Sequence, residues 1–149
     1  MKTKQKAVIY SRLSGNLHEC EWKNTLEGQQ KTSERYAELN GFEVVSSFRV
    51  AGSSISLNHQ STFSNVIKYM EDDDIHILIC KSVDRLSRSF ANTNLIDEWL
   101  RSDKKNEIHF TEDLSIVSNK SEESMYAWST EVSLNKMYRE NLKRKKLCA

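Results

Sequence analysis

Two clusters that combine a hydroxyl group with guanidinium groups are the residues of this sequence best suited to chemistry. The first cluster contains Ser14, with Arg12 two residues before it, and it follows an apolar run, Ala7–Ile9, typical of a buried strand. Residues two apart on a strand point to the same face. A serine hydroxyl beside a fixed cation suits contact with a phosphate group. For this stretch alone, the alternative interpretation is a chance serine at the end of a strand.

The second cluster contains Asp84, Arg85 and Arg88 and lies just beyond the most apolar run of the chain, Ile75–Cys80. A continuous apolar run is typical of a central parallel strand. If this strand lies beside the first, three guanidinium groups meet at the carboxyl edge of the sheet, where open α/β folds bind ligands. Three cations repel one another unless an anion lies between them, and a phosphodiester is a natural candidate. Surface ion pairs with nearby carboxylates are the alternative.

The elements that must position these clusters alternate along the chain between strand and helix patterns. Strands are predicted at 6–12, 42–48, 75–80 and 107–110, with a polar loop at 15–24 and a flexible segment at 51–56. Helices are predicted from Asn24 or Thr25 to Gly41, at 61–70, around 95–100 and from Ser121 onwards, with an acidic turn at 71–74. This alternation predicts an α/β fold with a mainly parallel sheet of four to five strands and helices on both faces.

Composition limits the function classes. The chain has 149 residues, a net charge of +1 and three cysteines without a C-x-x-C pair. These features predict one domain in a reducing cytoplasm, without a zinc site or a disulfide framework. We see no signal peptide and no apolar run long enough for a membrane span. The charge balance alone does not indicate a nucleic-acid partner, but basic residues accumulate between 136 and 146, on either a solvated helix face or a DNA-contacting one.

Taken together, these motifs resemble the catalytic domain of the serine recombinases, a family that includes resolvases, invertases and large serine integrases. The resemblance rests on Tyr10-Ser11-Arg12-Leu13-Ser14, on Gln29 in Thr25-Leu26-Glu27-Gly28-Gln29, on Asp84-Arg85-Leu86-Ser87-Arg88-Ser89 and on Arg139. It implies a resolvase-like three-layer domain at 1–120. The long C-terminal helix at 121–149 is expected to mediate dimerisation and to contact DNA. A DNA-recognition domain is not expected within these residues.

The resemblance also implies the roles of individual residues. Ser14 is expected to attack a DNA phosphodiester and form a 5′-phosphoserine intermediate, with no metal or cofactor. Arg12, Arg85 and Arg88 would bind the scissile phosphate, and Asp84 would orient them or assist proton transfer. The implied supporting and DNA-contacting residues are Gln29, Arg139, Lys136, Lys143, Arg144, Lys145 and Lys146. The implied assembly is a homodimer that goes on to a tetramer on double-stranded DNA, where strands are exchanged and rejoined.

Some residues depart from the family pattern. His59 and Gln60 stand where the family usually has an arginine, and Tyr138 replaces a glutamate that often precedes the helix arginine. One alternative is therefore a catalytically weakened partner subunit with the same fold. Another alternative is a flavodoxin-like domain that binds a phosphorylated small molecule. Apolar residues on the last helix predict self-association through Met125, Trp128, Val132 and Leu142.

Overall fold

The computed structural model describes residues 4–13, 19–51, 57–82 and 90–147. Within these ranges the chain forms five strands and four helices. The strands are β1 (Gln5–Leu13), β2 (Phe42–Ala51), β3 (Ile77–Cys80), β4 (Glu107–Phe110) and β5 (Ile116–Ser118). The helices are α1 (Glu19–Leu39), α2 (Leu57–Asp72), α3 (Phe90–Ser102) and α4 (Glu122–Leu147). In this part of the chain, no helix combines the length and the apolar character that crossing a membrane requires.

The strands form one sheet in the order β2-β1-β3-β4-β5. The pairs β1–β2, β1–β3 and β3–β4 are parallel, and β4–β5 is antiparallel. The mainly parallel sheet is therefore confirmed. The short β5 was not predicted as an element, because three residues carry too little pattern. The strand order matches that of flavodoxin-like folds, but β5 runs in the opposite direction.

Helices cover both faces of the sheet, so the predicted three-layer architecture is confirmed. On one face, α2, α3 and the start of α4 pack against the sheet through a large apolar cluster that includes Val8, Phe63, Leu78, Trp99 and Trp128. On the other face, α1 packs through a smaller cluster of Ala7, Ile9, Ala37, Ile77 and Ile79. Alternating residues of β1 and β3 point into opposite clusters, as strand geometry requires.

The predicted start of α1 is wrong. The helix begins at Glu19, so residues 19–24 of the predicted loop are helical and neither Asn24 nor Thr25 is its N-cap. Those two residue types favour a cap but do not force one, and no proline or glycine interrupts the segment before Gly28. The predicted end is confirmed, because Gly41 follows α1 with a φ of +73°, a conformation that glycine adopts without strain.

Other boundaries also differ from the prediction. Helix α2 is longer than 61–70 at both ends, and its last turn takes in the first two residues of the predicted acidic turn, leaving only Asp73 and Asp74 to reverse the chain. Strand β2 continues to Ala51, and β3 begins only at Ile77. The predicted cap of α4 is confirmed, because the Ser121 hydroxyl accepts a hydrogen bond from the Ser124 backbone N–H at 3.2 Å.

Candidate active site

Strand topology brings together the two strands that precede the predicted clusters in the sequence. β1 and β3 are hydrogen-bonded neighbours that run in the same direction, with Ile9 opposite Ile79. Their carboxyl ends therefore lie side by side. Arg12 is the penultimate residue of β1, and Ser14 comes directly after that strand. Ser14, Asp84, Arg85 and Arg88 lie outside the described residues, as do the side chains of His59 and Gln60.

Arg12 is a buried cation, with 3% of its surface exposed. Two residues earlier on the same face lies Tyr10, whose ring packs edge-on against Phe63 at a centroid distance of 5.4 Å. Burial raises the pKa of Tyr10 to about 12, although the nearby Arg12 charge opposes this shift; Cys80 adds to it. The Tyr10 hydroxyl is buried and has no hydrogen-bond partner among the described residues. Tyr10 is thus a site residue to which the motif alone assigned no role.

Gln29 on α1 contacts the same end of β1. Its side-chain Nε2 donates a hydrogen bond to the Arg12 carbonyl oxygen at 3.3 Å, and the residue is only 6% exposed. The structure therefore brings together two residues that the sequence predicted for one site, although they are 17 positions apart. The contact supports the backbone of β1 directly before Ser14 through the Arg12 carbonyl oxygen.

A pocket of about 340 Å³ opens beside Gln29, between α1 and the ends of β3 and β4. Its described lining is mostly polar in residue type and comprises Gly28, Gln29, Thr32, Lys81, Thr111 and Glu112. Two backbone hydrogen bonds join the chain segments that line it. Thr111 N–H donates to the Cys80 carbonyl at 2.9 Å, and Glu112 N–H donates to the Lys81 carbonyl at 3.0 Å. The pocket lies at the carboxyl edge, where α/β folds bind ligands.

The interface between α1 and the sheet is polar near this edge. Ser11, Gln29, Gln30 and Ser33 are all buried there. Three of their polar atoms, Ser11 Oγ, Gln29 Oε1 and Gln30 Oε1, have no hydrogen-bond partner among the described residues. Each unsatisfied buried group costs about 1–3 kcal/mol. This end of α1 therefore meets the sheet through polar groups, whereas its C-terminal end packs through apolar side chains.

A chain of hydrogen bonds anchors the opposite end of α1. The Tyr36 hydroxyl lies 2.6 Å from His109 Nδ1, and His109 Nε2 lies 2.9 Å from Glu107 Oε2. The other Glu107 oxygen accepts a hydrogen bond from Lys120 Nζ at 3.0 Å. Burial opposes ionisation of Glu107, but the hydrogen bonds and charges of His109 and Lys120 outweigh it and lower its pKa. Burial and the Glu107 charge raise the pKa of Tyr36.

Helix α4 continues beyond the carboxyl edge of the sheet. Trp128 stacks on Phe110 at the end of β4, with the ring centroids 6.4 Å apart. From Ser133 onwards every described side chain is exposed. The 15 residues from Ser133 to Leu147 correspond to about 22 Å of helix. Arg139, which the resemblance assigns to the active site, lies on this part of α4. The predicted DNA-contacting residues also lie there: Lys136, Lys143, Arg144, Lys145 and Lys146. The side chains of all six are outside the described residues.

The predicted self-association face of α4 is wrong in part. Met125 and Trp128 are 7% and 2% exposed because they pack in the core of their own chain. Among the described side chains of α4, the large exposed apolar residues are instead Tyr126, Leu134 and Met137. They recur at helical spacing and form a second stripe, which we call the outer stripe of α4. Amphipathic spacing predicted the first stripe, but it could not show that the core of the same chain covers its first residues, and it did not predict the outer stripe.

Comparison with known proteins identifies the class of protein. The family model described as "Resolvase, N terminal domain" matches residues 7–146, so the chain belongs to that family. The match confirms the resemblance to serine recombinase catalytic domains that the motifs indicated. A search of curated proteins found no match.

Solved structures support the same fold. The N-terminal catalytic domain of TP901-1 integrase matches with a TM-score of 0.68 and 21% identity, over 91% of this chain and 98% of that one. A resolvase family site-specific recombinase from Streptococcus pneumoniae matches with a TM-score of 0.66 and 18% identity, over 97% and 94%. The C-terminal catalytic domain of ISC1926 TnpA, an IS607-like serine recombinase, matches with a TM-score of 0.58 and 20% identity, over 85% and 78%.

Proposed function

We propose that this chain is a site-specific DNA recombinase catalytic domain in which Ser14 breaks and rejoins DNA strands. The observation that carries the proposal is the pairing of β1 with β3 as parallel neighbours, with Arg12 at the end of one strand and the segment containing Arg85 and Arg88 after the other. Membership of the resolvase family supports it. Family membership also favours this function over that of a flavodoxin-like domain that binds a phosphorylated small molecule.

In the proposed reaction the Ser14 hydroxyl oxygen attacks the phosphorus of a DNA phosphodiester. Ser14 gives up its hydroxyl proton as the bond from phosphorus to the 3′ oxygen breaks, and the leaving 3′ oxygen takes up one proton. The products are a 5′-phosphoserine and a free 3′-hydroxyl. Arg12, Arg85 and Arg88 stabilise the negative charge of the transition state. Asp84 orients the guanidinium groups or assists proton transfer. Religation is the reverse attack by a 3′-hydroxyl, after the strands have been exchanged.

We propose that α4 supplies the assembly and DNA contacts. In this proposal residues 1–120 form the catalytic unit and residues 121–149 form the helix that pairs subunits into a dimer and then a tetramer. The outer stripe of α4 is the apolar surface available for pairing, since Met125 and Trp128 are buried. The basic residues beyond it suit contact with DNA phosphates, and Arg139 would reach the site of a bound strand.

The experiment uses the whole chain fused to a sequence-specific DNA-binding domain. The substrate is a supercoiled plasmid library in which two inverted sites for that domain flank a randomised centre, incubated with EDTA and quenched with detergent. We expect a covalent protein–DNA species that carries protein at the 5′ ends and free hydroxyl groups at the 3′ ends. Ser14→Ala should abolish it, and Arg85→Ala should slow it by orders of magnitude with the circular dichroism spectrum unchanged.

Two results would contradict the proposal. Equal cleavage by Ser14→Ala would exclude Ser14 as the nucleophile. No covalent species from the unmodified chain with any centre would exclude the activity, and it would favour the catalytically weakened partner subunit. His59 and Gln60 stand where the family usually has an arginine, so we expect a slow reaction, and the time courses should extend to hours.

A further inference from the structure

Two unlike segments of α1 contact the sheet. Near its C-terminal end the contact is apolar, with Ala37 packed among Ile9, Ile77 and Ile79. The segment 29–33, which lies nearer the candidate active site and which we call the polar segment of α1, presents Gln29, Gln30 and Ser33 to the sheet, all of them buried. Because these side chains are polar, the position of this segment depends on individual hydrogen bonds as well as on packing.

Gln30 makes the shortest of these hydrogen bonds. It is 5% exposed, and its Nε2 lies 2.7 Å from Ser47 Oγ on β2 and 2.8 Å from Glu34 Oε1 one turn along α1. An amide nitrogen has two hydrogens, so both are used. The contact with Ser47 ties α1 to β2, while the one with Glu34 fixes the orientation of the amide group.

The Gln30–Ser47 contact lies close to the end of β1. Ser47 is opposite Ile9 in the β1–β2 pair, three residues before Arg12. Neighbouring Gln29 bonds to the Arg12 carbonyl oxygen at the longer distance of 3.3 Å. Two consecutive glutamines thus attach α1 to two adjacent strands, and the stronger attachment determines where the weaker one can form.

We infer that Gln30, through Ser47, is a positioning residue for the DNA cleavage reaction. It holds the polar segment of α1 over the β1–β2 pair, so that Gln29 supports the backbone of Arg12 next to Ser14. The inference rests on the proposed function, because it concerns the same site. Gln30 touches neither DNA nor the reacting atoms in this account.

The first test replaces Gln30 with methionine, which keeps the side-chain length and removes both hydrogen bonds together with the unpartnered Oε1. Loss of the two hydrogen bonds lowers stability, whereas loss of the unsatisfied oxygen raises it. The two effects partly cancel, so the thermal midpoint should stay within roughly 4 °C of that of the unmodified chain. The rate of covalent complex formation at saturating plasmid should fall roughly 10-fold to 100-fold, because small displacements of reacting groups have effects of this size. Lys31→Met, on the exposed face next to it, is the control and should keep the rate.

The form of the loss separates positioning from folding. A folding defect lowers the amplitude of a single-turnover reaction, whereas misplaced groups lower its rate constant. Ser47→Ala should reproduce the effect of Gln30→Met, and the double variant should be no slower than either single one. Ser47→Thr keeps the hydroxyl group and should keep the rate. An unchanged rate constant in Gln30→Met, or additive losses in the double variant, would overturn the inference.

Hydrogen–deuterium exchange tests the same contact without DNA. In Gln30→Met, peptides covering 10–13 and 27–33 should exchange faster, while peptides covering 36–44 should not change. Faster exchange everywhere, or none, would overturn the inference even if the unmodified chain proved inactive. Failure of the unmodified chain to form a covalent complex would instead refute the proposed function, so the two failures are distinguishable.

Discussion

Replacing His109 with leucine should lower the free energy of unfolding by about 2–4 kcal/mol at pH 7. His109 has 4% of its side chain exposed and joins Glu107 to Tyr36 at 2.9 and 2.6 Å. A hydrogen bond to a charged group contributes about 1.5–3 kcal/mol and a neutral one about 0.5–1.5 kcal/mol, and both are lost. Leucine is similar in size to histidine, so the substitution leaves no large cavity. Glu107 retains its hydrogen bond from Lys120, so the expected loss includes no cost for an unpaired charge.

The assay is urea denaturation with a fixed m-value. Tyr36→Phe should lose only about 0.5–1.5 kcal/mol, because one neutral hydrogen bond is removed. Tyr69→Phe makes the same chemical change outside this chain of hydrogen bonds and is the control. A loss under about 0.5 kcal/mol in His109→Leu, within the range of an ordinary surface substitution, would refute the anchoring role of His109.

The stability difference between the unmodified chain and His109→Leu should also depend on pH. Although burial opposes ionisation, hydrogen bonds from His109 and Lys120 lower the pKa of Glu107 in the folded state. A lowered carboxyl pKa contributes stability that is present above the ordinary value of about 4.3 and is lost as the pH falls through the folded value. The difference in stability between the unmodified chain and His109→Leu should therefore narrow as the pH falls below 4.3. A difference that widens in acid would contradict this assignment.

Two further predictions concern aromatic residues. Trp128→Ala should lower the free energy of unfolding by about 3–5 kcal/mol. Tyr126→Ala should change the free energy of unfolding by under about 0.5 kcal/mol, and it should weaken self-association in sedimentation experiments. The opposite pattern would show that the wrong face of α4 was assigned to the core. Tyr10→Phe should leave stability unchanged or slightly higher, because it removes a buried hydroxyl without a described partner. An alkaline titration that follows tyrosinate absorbance compares the unmodified chain with Tyr10→Phe. The absorbance difference between them should appear only near pH 12, where Tyr10 ionises. A difference already present near pH 10 would contradict burial of Tyr10.

The arrangement of the sheet could be predicted because its signals are local. The apolar runs of β1 and β3 mark buried strands, and the position of Arg12 follows from where β1 ends. The bond between Gln29 and the Arg12 carbonyl joins residues far apart in sequence, and only the family resemblance pointed to it. The start of α1 was missed because a possible cap residue can also lie inside a helix.

Other features depend on contacts that no local pattern shows. The chain from Tyr36 through His109 and Glu107 to Lys120 joins α1, β4 and the turn before α4, so no spacing in the sequence marks it. The polar tie between Gln30 and Ser47 is equally non-local. On α4, apolar residues occur on two faces of the helix, and packing against the rest of the chain decides which face is buried.

The most direct test of the central claim is mass-spectrometric identification of the residue joined to DNA. The covalent species formed in EDTA is digested with nuclease and protease, and the modified peptide is sequenced. The proposed mechanism predicts a 5′-nucleotide attached through phosphate to Ser14. Attachment to any other side chain would show that the hydroxyl at the end of β1 is not the group that breaks the DNA strand.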